Sequence, residues 1–154
     1  MYKHPIAFLS VNNLTVARYA AAMMADYIGF CFDSTSENFI TVAKAKEIMG
    51  WLSGVKFIGE FHSKPMDEIT AIALELKLDL VLLYGPYAAE DIESIPFEII
   101  THTPNQSGKY YLEEGQIMDA DGNIFIIPFY SANEDETGVV DFEEISEKLS
   151  ALEI

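Results

Sequence analysis

The residues most able to do chemistry in this chain cluster where short apolar runs give way to polar ones. Ser10 lies near the end of the run PIAFLSV and Asn12 follows it, Asp33 follows IGFCF, His62 follows KFIGEF, and Tyr84 closes LDLVLLY. Thr101, His102 and Thr103 end a fifth run. An aspartate and two histidines, Asp33, His62 and His102, are the residue types needed for acid–base work or for a metal. The competing reading is that these groups are ordinary polar residues at strand ends, facing water. Glu60 stands apart. A carboxylate inside an apolar strand must be protonated, paired with a cation such as Lys56, or solvated by an incompletely closed interior. Alternation puts Glu60 and His62 on one face of their strand, and Glu98 and His102 on one face of theirs. The single cysteine, Cys31, lies between Phe30 and Phe32 and reads as a buried, inert thiol; it also excludes an internal disulfide. Asp119-Ala120-Asp121-Gly122 lacks the later ligands of a calcium loop and reads as a hairpin turn.

The elements that must carry these residues alternate regularly. Buried-strand runs at Pro5–Val11, Asp26–Asp33, Val55–His62, Leu78–Tyr84 and Phe97–Thr103 are separated by helical patterns. Asn12-Asn13 and Thr41 can cap the first two helices, and Ser63-Lys64-Pro65 opens the third. Such a β-α repeat argues for right-handed parallel crossovers, either in a β/α barrel or in an open doubly wound sheet. After Pro104 the pattern weakens. The segment Tyr110–Met118 fits a helix or the start of a hairpin, Asn123–Phe129 is a further strand-like run, and a helix runs from about Val140 to Leu152. No linker divides the 154 residues, so a single domain over 1–154 is expected.

Composition narrows the partners. Half of the chain is hydrophobic and the mean hydropathy is +0.14, enough for a packed core. The formal charge is −16: residues 1–85 carry nine acids against seven bases, and residues 86–154 carry sixteen against Lys109 and Lys148. Such a field disfavours nucleic acid, anionic membrane and phosphorylated ligands, while an acidic half could engage a basic protein. With no long apolar run and no leader-like N-terminus, a cytoplasmic protein is expected, and no cofactor or metal is called for.

In order and spacing these segments resemble the phosphoribosylanthranilate isomerase family of β/α-barrel enzymes in tryptophan biosynthesis. Ile6–Ala17 (IAFLSVNNLTVA) is similar to the family's V-K-I-C-G-I-T-N-L-x-D-A. Gly29–Phe32 with Ser36–Ile40 is similar to G-F-V-F followed by S-P-R-Y-V, Ile58–Phe61 to V-G-V-F, and Leu78–Gly85 to L-D-x-V-Q-L-H-G. Thr137–Phe142 (TGVVDF) resembles the family's late G-[ST]-G-x-x-F-D-W. The resemblance places the family's catalytic cysteine on Leu9, its preceding lysine on Ala7, its substrate arginine on Asn38, its fourth-strand histidine on Tyr84 and its catalytic aspartate near Pro128.

Two proton-transfer groups each supply about 10²–10⁴-fold, so their loss removes about 10⁴–10⁸ in rate. A full barrel takes about 250 residues and seldom under 200. The expectation is therefore a barrel cut to about six β/α units. It would lack isomerase activity and its phosphate-binding end, and would serve as a binding or structural protein, paired as a homodimer over two open sheet edges. The alternative is an enzyme of altered chemistry, acting on a small non-phosphorylated ligand through Asp33, His62, Tyr84 and His102.

Overall fold

The computed structural model describes residues 2–101, 110–119, 121–130 and 142–154. Its first part follows the expected alternation: β1 (Ile6–Leu9), α1 (Leu14–Ala22), β2 (Tyr27–Cys31), α2 (Val42–Gly50), β3 (Lys56–Phe61), α3 (Met66–Leu76), β4 (Leu80–Leu83), α4 (Ala89–Ser94) and β5 (Glu98–Thr101). The caps are those the sequence offers. Asn13 accepts from the Val16 amide and Thr41 from the Lys44 amide, satisfying amides that have no partner within the helix. Asp67 and Glu68 sit in the first turn of α3, where the helix dipole favours negative charge.

Beyond β5 the architecture departs from the expectation of six units with open edges. Residues 110–130 form three strands, β6 (Tyr110–Glu113), β7 (Gln116–Asp119) and β8 (Ile124–Tyr130), and the sheet closes as an eight-stranded barrel in sequence order. β6 lies parallel to β5, β7 runs antiparallel to both β6 and β8, and β8 lies parallel to β1. The physical reason is economy of chain. A parallel neighbour needs a crossover of about a dozen residues or more, whereas an antiparallel neighbour needs only a tight turn. Glu114 and Gly115, at φ 50° and 75°, make the first turn. Asp119 Oδ1 caps the second, accepting from the Asp121 and Asn123 amides, with Gly122 at φ 85°. The hairpin reading of Asp121-Gly122 is borne out, and the helical option for Tyr110–Met118 is not. The strand around Pro128 is the eighth stave beside β1, so both edges that a second copy would have covered are paired. The open doubly wound alternative falls with them.

The core has two layers. Ile6, Phe8, Phe30, Phe61 and Val81 point outward beneath the helices, while Ala7, Leu9, Ile58, Leu82 and Ile100 point into the lumen. A last helix, α5 (Phe142–Ser150), docks on the outer layer through Leu149, and Phe142 lies 4.6 Å from the Tyr19 ring.

Candidate functional site

Lumen-facing positions fill with aliphatic and aromatic side chains, Tyr27, Tyr110 and Phe125 among them, until β3 reaches Glu60. Cys31 and Glu60 are register partners on β2 and β3, so both face the lumen at the same level. Glu60 is fully buried. Among the described residues no cation pairs with it. Lys56 is at the opposite end of β3, over the Tyr27 ring, so the expected pairing with Lys56 is not made. Instead Glu60 Oε2 accepts from the Ser10 amide at 2.6 Å. Its Oε1 accepts from the Ser10 hydroxyl at 2.8 Å and from the Tyr84 hydroxyl at 3.0 Å.

Each partner is delivered by the fold. Ser10 has φ 57°, a left-handed conformation that costs a non-glycine residue about 1–2 kcal/mol. That twist turns its amide into the lumen as β1 ends. Gly29 on β2 makes the room: a Cβ there would lie 2.7 Å from Glu60 Oε2 and 2.8 Å from Leu9 Cδ2. Gly85 lets β4 end against β3, since a Cβ there would overlap the His62 carbonyl oxygen. Tyr84 is stacked under His62, with ring centroids 4.5 Å apart at 19°. Tyr130, the last residue of β8, is the register partner of Leu9 and adds to the upward push on the Tyr84 phenol.

The electrostatics follow. Burial raises the Glu60 carboxyl above the ordinary carboxylate range, against the three hydrogen bonds from Ser10 and Tyr84 that favour its charged form. Burial and the neighbouring Glu60 raise the Tyr84 phenol, which stays protonated. Burial likewise raises the Cys31 thiol, and the reading of an inert cysteine holds.

The other candidates do not join this cluster as ligands. Asp33 turns back on its own loop, where Oδ1 accepts from the Thr35 amide and hydroxyl; those bonds hold it below its usual range. Asn12 accepts from the neighbouring Asn13 amide group. Thr101 is buried at the end of β5, and His102 lies outside the described residues. Among the described residues no three histidine, cysteine, aspartate or glutamate side chains converge as a metal site. Sequence reasoning missed Tyr130. The alternation of Ile126, Pro128 and Tyr130 would have placed it at the mouth had its strand been recognised as a stave next to β1.

A barrel with its polar groups gathered at the strand C-termini matches known proteins. The family model for N-(5'phosphoribosyl)anthranilate (PRA) isomerase matches residues 10–147. The chain belongs to that family. The isomerase of Listeria monocytogenes is 36% identical over 86 residues, which is 55% of this chain and 42% of the relative. That of Streptococcus pneumoniae is 31% identical over 126 residues, 76% of this chain and 62% of the relative. The chain thus spans about half the length of the curated relatives it matches. Among solved structures, the isomerase of Thermus thermophilus superposes with a TM-score of 0.74 at 19% identity, over 96% of each chain. TrpF from Jonesia denitrificans superposes with 0.79 at 14% identity, over 97% of this chain and 96% of its own. These likenesses establish a shared barrel fold. Among the described residues no helix is long and apolar enough to cross a membrane.

Proposed function

We propose that this member of the family does not carry out the isomerisation, and that its barrel mouth binds a small non-phosphorylated molecule. The observation that carries the reading is the side chain just before Ser10. Leu9 is fully buried in the inner apolar layer, flanked by Tyr130 on the neighbouring strand, where the family resemblance puts the catalytic cysteine. The sugar rearrangement needs one group to protonate the ring oxygen and another to take a proton from the adjacent carbon. Leucine does neither.

Glu60 is the one buried carboxyl among the described residues, and donors from Ser10 and Tyr84 occupy both of its oxygens. A single enclosed acid supports binding better than a two-group proton shuttle. The test is growth of an isomerase-deficient, tryptophan-requiring strain carrying this gene, together with turnover of phosphoribosylanthranilate by the purified protein. No rescue and no turnover are expected; rescue overturns the proposal.

A further inference from the structure

The end of the barrel opposite the mouth holds a cleft of about 300 Å³. Tyr2, Lys3, His4 and Pro5 line it from the segment before β1, and Met24 and Asp26 from the connection between α1 and β2. We propose that this cleft binds a small zwitterion with an apolar side chain, of the class of an apolar α-amino acid. The volume lies at the low end of ligand pockets and suits a molecule of that size. The proposal goes beyond the binding role given to the mouth and does not rest on it.

The lining is anchored by bonds that need no ligand. The Tyr2 hydroxyl donates to the Met23 carbonyl at 2.7 Å, and the Lys3 amide donates to the Leu152 carbonyl at 2.9 Å. Asp26 is held twice: its amide donates to the Ile6 carbonyl and its Oδ2 accepts from the Ile6 amide, each at 2.9 Å. Met24 follows α1 at φ 63°, a left-handed position that favours glycine. A methionine there, 70% exposed, accepts backbone strain and supplies a soft, adaptable apolar side chain to the cleft.

The charges define the ligand class. Lys3 and Asp26 line the same cleft, yet no ion pair joins them. Among the described residues neither the Lys3 ammonium nor the His4 ring makes a hydrogen bond or an ion pair. One cleft thus presents a cation and an anion that do not neutralise each other. A simple anion would meet the field of a chain carrying −16, with Glu153 already acting on Tyr2. A simple cation would leave Lys3 unanswered. A zwitterion carries no net charge, gives its carboxylate to Lys3 and its ammonium to Asp26, and leaves its side chain for Tyr2, Pro5 and Met24.

The test uses the full chain with ¹³C-methyl methionine, the Met24 signal being assigned with Met24→Leu. Leucine, isopentylamine (leucine without its carboxylate) and isocaproate (leucine without its ammonium) are titrated separately at equal ionic strength. A saturable Met24 shift is expected with leucine, and each half-ligand should bind at least about tenfold more weakly, the worth of a charge-assisted hydrogen bond. Lys3→Ala removes an exposed side chain while the backbone bond to Leu152 stays. It should weaken leucine about tenfold and leave isopentylamine unchanged. Asp26→Asn keeps an oxygen for the Ile6 amide, and should weaken leucine and isopentylamine but not isocaproate. Met24→Gly, followed through the Lys3 and His4 amide signals, should raise the denaturation midpoint and still weaken leucine, a combination that a merely structural role does not give. No saturable Met24 shift with leucine, a half-ligand binding as tightly as leucine, or unchanged leucine affinity in any of the three variants would overturn the proposal. Rescue of the isomerase-deficient strain would instead refute the loss of isomerase activity and leave these titrations unaffected.

Discussion

Ser10 holds Glu60 twice, through its backbone amide at 2.6 Å and its hydroxyl at 2.8 Å, across fifty positions of sequence. One residue in a strained conformation thus satisfies two of the three hydrogen bonds to the only buried carboxyl among the described residues. Ser10→Ala should destabilise the fold by about 1–2 kcal/mol, because a buried acceptor loses a donor while the left-handed backbone stays. Ser10→Gly loses the same hydroxyl but relieves the strain, and should cost less by about 1 kcal/mol. Urea denaturation of the pair measures that difference; equal losses would show that the backbone conformation stores nothing.

Two glycines provide space rather than flexibility. Gly29→Ala drives a methyl against Glu60 Oε2 and Leu9 Cδ2, and overpacking of this kind costs about 1–3 kcal/mol. Adding Glu60→Ala should return part of that loss, since one of the two clashing side chains is gone. Gly85→Ala collides with backbone, the His62 carbonyl, and no side-chain truncation should rescue it. Denaturation midpoints of the single and double variants test both statements.

The Glu60 carboxyl also makes stability depend on pH. Its affinity for a proton is raised in the folded state by burial, so between its ordinary value and the raised one the native state binds more protons than the unfolded state. Stability from this group is therefore fully present below the ordinary glutamate range and is lost as pH rises through the raised value. Glu60→Gln removes the dependence, and the wild type should lose stability relative to it as pH increases over that window. A gap between the two that stays constant from acid to neutral pH would contradict the assignment.

The β6–β7 turn places Glu114 at φ 50°, a position where asparagine pays less than glutamate. Glu114→Asn, giving Asn-Gly at the turn, should stabilise the protein by about 0.5–1 kcal/mol. No gain in thermal or chemical denaturation would mean that this hairpin contributes little to closing the barrel.

The first five strands were legible because each is a mainly apolar run and the first two intervening helices carry their own side-chain caps, signals that live within a few residues of chain. Closure was not legible for a related reason. Tyr110–Tyr130 alternates weakly, its first turn is Glu-Gly rather than Asn-Gly, and a β-α count assumes that every new stave needs a helix. In the site, Glu60 was conspicuous as a charge in an apolar run, and Ser10 and Tyr84 as strand-end polar residues. Their convergence depends on barrel register, which no local pattern encodes. Lys56 looked like a partner only because it shares a strand with Glu60; four residues of extended chain place it at the far end.

Sealing the sheet by the β1–β8 ladder gives the molecule a seam where the beginning of the chain meets its last strand. The three final staves are joined by tight turns and can zip up locally, whereas the seam must wait for the whole ring to gather. Amides along Ile6–Leu9 and Ile127–Tyr130 should thus exchange with solvent as one cooperative unit, protected only once the circle is complete.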